Sequence, residues 1–218
     1  MIPIESFPWE PACAETLLED NILEIWRVPV ESAAQAGQIT GLASEEQARA
    51  ECMNSPVRRA QYIAGHVLAN RLRSHHGAPL FTSLSHSGEW VVVAAARNGP
   101  VGVDMECLRT ERPLKQLSRR FFPPEEDAWL AQFPLEEQSH VFYWLWTAKE
   151  ALFKALGMPA DAAHFAARRV FASFGSLSLP QDLIVGNHKV GWFCAAPGYL
   201  GAYAAPLNIS RTHFLRPE

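Results

Sequence analysis

Apolar and polar positions along the chain fall into two kinds of period. From Ser55 the run SPVRRAQYIAGHVLANRLRSHHG opens on Ser-Pro and places Val57, Tyr62, Ile63, Val67, Leu68 and Leu72 on one face. Gly77 closes it, so this stretch predicts a long helix. A second long helix is expected from about Pro134 to Gly157: in WLWTAKEALFKALG the residues Leu145, Ala148, Leu152, Ala155 and Leu156 share a face, and Pro159 follows the stop. Ser44 with Glu45 to Gln47 marks a shorter helix with a capped start. In RRFFPPEEDAWL one helix ends at Phe121-Phe122, Pro123-Pro124 break it, and Glu125 to Asp127 open the next with an acidic first turn. Strand-like segments occupy residues 21–30, Trp90–Ala96 after the Gly88 turn, and Val101–Glu106 after Asn98-Gly99-Pro100. Further candidates are Arg168–Phe174, Leu177–Val185, Lys189–Ala196, Tyr199–Ala205 and Asn208–Phe214.

Helices set among hairpin-like strands predict an α+β protein. The segments GEWVVVAAA and GYLGAYAA echo one another. They suggest a pseudo-duplicated fold of two halves, residues 1–103 and 104–218, each a small antiparallel sheet packed with helices. Ligand sites favour the interface between such units.

Composition narrows the class. With 48% apolar and 19% charged residues in 218, the chain is expected to be globular and well packed. No apolar run approaches the ~18 residues of a membrane span. The N-terminal MIPIESFPWEPACAE lacks the basic head and apolar core of a signal peptide. Cys13, Cys52, Cys107 and Cys194 have no zinc-like spacing and read as reduced packing residues in a cytoplasmic protein. The net charge of −4 is unevenly laid out. Residues 1–50 carry nine acids against two arginines, whereas residues 107–120 carry Arg109, Arg112, Lys115, Arg119 and Arg120 against Glu111 alone. A basic patch on an acidic protein suggests an anionic partner of small footprint, or an ordinary solvated helix face; it does not suggest nucleic acid.

Two stretches carry candidate chemistry. Trp146, Glu150 and Lys154, spaced by four, form a second stripe on the long helix. In GPVGVDME the side chains of Asp104 and Glu106, two apart on a strand, point to the same face and repel unless a cation lies between them. With Glu150 they make three oxygen donors for a hard ion. Mg²⁺ suits such a set, keeping waters and phosphate oxygens in its other positions, with Mn²⁺ an alternative. The plainer readings are a solvated Glu150–Lys154 pair and a strand tip with two exposed acids. Arg58 and Arg59 sit in a first helical turn, unfavourable against the dipole, as an anion site or as surface residues. Ser85-His86-Ser87, at a strand end, could receive a phosphate. A Ser-His-Asp hydrolase fits less well, because the nucleophile elbow is missing and adjacent Ser and His have the wrong geometry.

Taken together, SLSHSGEW, VGVDME, RRFF and WLWTAKEALFK resemble the Sfp-type 4′-phosphopantetheinyl transferases over roughly residues 55–157, and RRAQYIAGH resembles a helix of their siderophore-synthesis branch. The resemblance implies Mg²⁺-dependent transfer of the phosphopantetheine arm of coenzyme A to a serine of an apo acyl-, peptidyl- or aryl-carrier protein, with release of 3′,5′-ADP. It implies Asp104, Glu106 and Glu150 as metal ligands, Glu150 also as proton acceptor, and Lys154 on the diphosphate. Ser85 and His86 would meet the 3′-phosphate region, helped by Arg58 and Arg59; Lys149, within the motif, is counted with Lys154 among the coenzyme A contacts. An acidic carrier would dock on Arg112, Lys115, Arg119, Arg120, Phe121 and Phe122, and the enzyme would act as a monomer. Departures are the missing lysine near Gly77-Ala78-Pro79, His66 in place of an arginine, and Met105, which cannot ligate the ion. Two other readings stay open: a metal-dependent phosphohydrolase of coenzyme A or nucleotides, and a non-catalytic adaptor that docks carrier proteins.

Overall fold

The computed structural model describes residues 9–11, 17–31, 41–109, 111–158 and 182–216. The strand expected at Arg168–Phe174, and the first part of the one expected at Leu177–Val185, lie outside them. Among the described residues are five helices: α1 (Ser44–Glu51), α2 (Pro56–His76), α3 (Leu114–Phe121), α4 (Pro124–Leu130) and α5 (Leu135–Ala155). The strands are β1 (Glu10–Pro11), β2 (Ile22–Pro29), β3 (Phe81–Ser87), β4 (Trp90–Ala96), β5 (Gly102–Cys107), β6 (Asp182–Val185), β7 (His188–Ala196), β8 (Tyr199–Pro206) and β9 (Arg211–Arg216). No helix among the described residues is long and apolar enough to cross a membrane.

The fold is α+β, built on two sheets. One has the order β1-β9-β2-β4-β3, the other β5-β8-β7-β6. The second is antiparallel throughout. The first is mixed rather than antiparallel, because β9 runs parallel to both β1 and β2. The boundary expected after residue 103 falls inside β5, and β9 crosses from the C-terminal part of the chain into the first sheet. The echoing segments are β4 and β8, each entered from a glycine of positive φ, Gly88 and Gly198.

Alternation along the strands sets the layers. In β4, Val91, Val93 and Ala95 pack with Ala64, Leu68 and Leu72 of α2. Val92 and Ala94 face the other way, into a core shared with Val103 and Met105 of β5 and Phe193 of β7. Both faces are covered, so β4 reads as a continuous apolar run. On the outer face of the second sheet, Leu145, Ala148 and Leu152 of α5 meet Trp192, Leu200 and Ala202, and Phe122, Trp129 and Leu130 close the far side. That far side explains why α5 is buried well beyond the single predicted stripe: Phe142, Tyr143 and Trp144 are buried too. Val57, expected inward, is exposed in the first turn of α2, beyond the reach of the sheet. Cys52, expected as a packing residue, is exposed as well.

The helix ends follow local chemistry. Ser55 caps α2 by accepting from the Arg58 N–H at 3.4 Å, with Pro56 at the first helical position. In α1 the cap is Ala43 and Ser44 is already helical; Glu46 reaches back to accept from the Ala43 N–H at 2.9 Å.

Candidate functional site

The two sheets meet edge to edge, β3 against β5, and the expected acids lie along that seam. Gly102 sets how α5 is seated on it. A Cβ at Gly102 would stand 1.8 Å from the Ala151 carbonyl oxygen, so only glycine lets the helix backbone rest directly on β5. Asp104 and Glu106, alternating with the core residues Val103 and Met105, then face the same side as Gly102. Glu150, next to Ala151, comes within electrostatic range of both.

The acids hold one another in check. Burial raises the Glu150 carboxyl to about 7, and the negative charges of Asp104 and Glu106 push the same way against Lys154. Burial, then Asp104, also raises Glu106, opposed by Arg112 and by the Ser87 hydroxyl. Asp104 is 6% exposed, and its Oδ1 accepts from the Ser85 hydroxyl at 2.8 Å and the Lys154 ammonium at 2.9 Å. Its Oδ2 is buried with no hydrogen-bond partner. Glu106 Oε2 accepts from Ser87 at 3.1 Å, and Oε1 lies 3.8 Å from Arg112. Lys154 also donates to the carbonyls of Val103, at 3.0 Å, and Leu84, at 3.5 Å. Its ammonium is therefore engaged with the seam rather than extended into solvent.

The donor set fits a hard cation: all three groups are carboxylates, one has a buried oxygen without a partner, and two are raised by burial first and by neighbouring carboxylates second. As it stands, no three His, Cys, Asp or Glu side chains among the described residues are drawn close enough to hold a metal ion. Lys154 and Arg112 neutralise the two strand acids instead.

Beside the seam, β3 carries His86 to the wall of a cavity of about 640 Å³, lined also by Arg49, Met53, Asn54, Ser55, Arg58 and Tyr62. Gln61 of α2 donates to the Gly88 carbonyl at 2.8 Å, tying the start of α2 to the turn after His86. His86 is exposed at the cavity wall, and its pKa is lowered by partial desolvation first and by the positive charge of Lys154 and Arg58 after it. Arg59 is half-buried and does not line the cavity. Arg49 and Tyr62 were not expected here. Arg49 lies on α1, whose sequence is unremarkable apart from that one cation. Ser85 is buried with its hydroxyl committed to Asp104, so it is not free to meet a phosphate. His66, in place of the arginine, pairs with Glu46 at 2.8 Å and stacks on Tyr62 with centroids 4.0 Å apart.

Two expected site residues lie elsewhere. Lys149 is fully buried on the far side of α5, its ammonium 2.8 Å from an equally buried Glu126 carboxylate. It points into the layer formed with α4 because its neighbours Ala148 and Glu150 take the sheet-facing and seam-facing directions. Phe122, in the proposed docking set, is only 2% exposed. The chain turns to extended backbone there, ahead of Pro123, and lays its ring on Phe142 at 5.2 Å. Of that set, Lys115, Arg119 and Arg120 are exposed, Phe121 is half-buried against Trp146, and Arg112 lies beside Glu106.

Half-buried acids with raised pKa beside a cationic cavity mark a candidate functional site, and relatives give its class. The model of the 4′-phosphopantetheinyl transferase superfamily matches residues 100–180, which include β5 and α5. The chain is 30% identical over 169 residues to the 4′-phosphopantetheinyl transferase HetI of Nostoc sp., covering 65% of this chain and 71% of that protein. It is 31% identical over 138 residues to AcpT of Salmonella typhimurium (56% of this chain, 72% of that one). With Sfp of Bacillus subtilis it shares 34% identity over 84 residues, 37% and 36% of the two chains. This chain belongs to the 4′-phosphopantetheinyl transferase superfamily.

Proposed function

We propose that this protein transfers the 4′-phosphopantetheine arm of coenzyme A to a serine of an apo acyl-, peptidyl- or aryl-carrier protein. The observation that carries the reading is the seam itself: Asp104, Glu106 and Glu150 repel one another beside Lys154, next to a cationic cavity. In the reaction, the serine oxygen of the carrier attacks the phosphorus that bears the pantetheine arm. The bond from that phosphorus to the bridging oxygen breaks, and 3′,5′-ADP leaves with the oxygen. The serine proton passes to Glu150, the acid that α5 brings to the seam. The nucleophile belongs to the partner, so this chain needs none.

Mg²⁺ held by Asp104, Glu106 and Glu150, with Mn²⁺ as a substitute, would supply charge neutralisation for the diphosphate. A closed protein cage is not required, since Mg²⁺ keeps waters and takes phosphate oxygens alongside one or two carboxylates. Lys154 has its charge at the same place and adds to the neutralisation on turning from Asp104 toward the diphosphate. The cavity suits the nucleotide end of coenzyme A: Arg49, Arg58 and His86 offer cationic and N–H groups to phosphate, and Tyr62 offers an aromatic face. The carrier docks on the exposed cations of α3, Lys115, Arg119 and Arg120, where complementary charge steers association.

Chromatography of the nucleotides tests the reading. Incubation with coenzyme A and Mg²⁺ is expected to release 3′,5′-ADP only when an apo-carrier protein is added. Release without a carrier would identify a phosphohydrolase, and no release with several carriers would leave an adaptor.

A further inference from the structure

The seam is closed by serines rather than by backbone pairing. Strands β3 and β5 are edge strands of different sheets, and each would otherwise present unpaired amides. Ser83, Ser85 and Ser87 alternate along β3 and so point the same way. Their hydroxyl oxygens accept from the N–H groups of Val103 at 3.0 Å, Met105 at 3.3 Å and Cys107 at 3.0 Å. A serine hydroxyl has one proton, and each oxygen here is already serving as acceptor. At two of the three rungs that proton goes to a motif acid: Ser85 donates to Asp104 Oδ1, and Ser87 to Glu106 Oε2. Among the described residues, Ser83 makes no such contact to an acid.

We infer that Ser85 and Ser87 are positioning residues that hold one oxygen of each strand acid and thereby reserve the other, Oδ2 of Asp104 and Oε1 of Glu106, for the divalent cation, which at Oε1 takes the place of Arg112, now 3.8 Å away. The inference rests on the reading of those acids as cation ligands. Its physical content is orientation. A carboxylate on a free side chain offers either oxygen over a range of χ angles, whereas one tied through a hydroxyl to the neighbouring strand offers one oxygen at one place. The two rungs have the same chemistry because the two strands share a two-residue period. Each acid is followed by the residue whose N–H its serine accepts. Asp104 Oδ1 is further fixed by Lys154, which leaves Oδ2 as its one buried oxygen without a partner. The ladder thus joins the two sheets with three side chains and aims the acids with two of them, and Ser83 separates the two roles.

The test is direct Mn²⁺ binding to the intact protein, followed by electron paramagnetic resonance without coenzyme A or carrier. Ser85→Ala and Ser87→Ala are expected to weaken Mn²⁺ binding by about tenfold or more, the usual effect of losing a group that orients a ligand. Ser83→Ala, which removes a rung but touches no acid, should bind within about twofold of wild type, and Ser87→Thr, which keeps the hydroxyl, should restore binding. In turnover assays the Mg²⁺ requirement should rise in the two variants while the KM for coenzyme A stays level. Wild-type Mn²⁺ affinity in Ser85→Ala and Ser87→Ala, or an equal loss in Ser83→Ala, overturns the positioning role and leaves the metal assignment standing. Absence of Mn²⁺ binding by wild type removes the metal assignment as well. Ser87 is half-buried, so Ser87→Ala decides the matter if Ser85→Ala fails to fold.

Discussion

Gly102→Ala tests the contact that places the site. The added Cβ would lie 1.8 Å from the Ala151 carbonyl oxygen and 2.8 Å from the Ala155 nitrogen, both backbone atoms of α5. Ordinary van der Waals contact begins near 3.4 Å, so the helix must lift from β5 by about 1.6 Å at this point, with no flexible side chain to give way. Gly102 is not at positive φ, which removes conformational strain as a rival cause. An unhindered Gly→Ala change would in fact stabilise by about 0.4–1 kcal/mol through the unfolded chain. Overpacking instead costs about 1–3 kcal/mol, and each kcal/mol is about 2–4 °C in Tm for a chain of this size. The same shift moves Glu150 relative to Asp104 and Glu106, and a misplacement of ~1 Å is worth about a hundredfold in rate. Urea unfolding with steady-state kinetics should show a lowered midpoint and a kcat/KM for carrier modification reduced at least that much. Wild-type stability and rate in the variant would mean that α5 does not rest on Gly102, and the seam geometry would be wrong.

The other expectations concern charge. Without metal, in chelator, the raised pKa of Glu150 favours its neutral form; the stability this brings is present below its ordinary 4.5 and is lost as pH rises through about 7. Glu150→Gln should therefore match wild type near pH 4.5, exceed it by up to about 3 kcal/mol at pH 8, and fail to transfer; a variant less stable at pH 8, or still active, counts against the cluster. Lys149→Met strands a buried Glu126 carboxylate and should cost about 3–5 kcal/mol, most of it regained in Lys149→Met with Glu126→Gln. Additive losses in denaturant unfolding would show that the two do not act as a pair. Charge reversal at Arg119→Glu with Arg120→Glu should raise the KM for the carrier more than that for coenzyme A, and equal rises would sink the docking surface. His76 is buried on β2's Glu24 with its pKa lowered, by desolvation first, so stability should fall as pH drops below about 6.5; a flat acid limb in His76→Gln confirms the source and an unchanged one refutes it.

Much of the site was legible because its signals are local. Helical and strand periods gave α2, α5, β4 and β5 nearly to the residue, and the two-residue spacing of Asp104 and Glu106 put both on one face. What escaped depends on partners distant in the chain. The crossing of β9 into the first sheet leaves no periodicity to read, since a parallel pairing at the sheet's middle looks locally like any other strand. Lys149 was read as a coenzyme A contact because it lies within the helix motif, and Phe122 as a docking contact because proline breaks its segment, whereas Glu126 and the layer of α4 bury them. The serines of SLSHS did carry a two-residue period matching that of VDMEC, yet nothing in either segment says that the two edges meet. Ser85 was accordingly read as a phosphate ligand, when its hydroxyl is held by Asp104 and Met105.

The most direct measurement is the intact mass of an apo-carrier protein after incubation with this enzyme, coenzyme A and Mg²⁺, run alongside Glu150→Ala. The wild-type reaction should add one phosphopantetheine arm to the carrier, and the folded variant none. A carrier left unmodified by wild type, or modified equally by the variant, contradicts the assignment of the seam between β3 and β5 as the site of transfer.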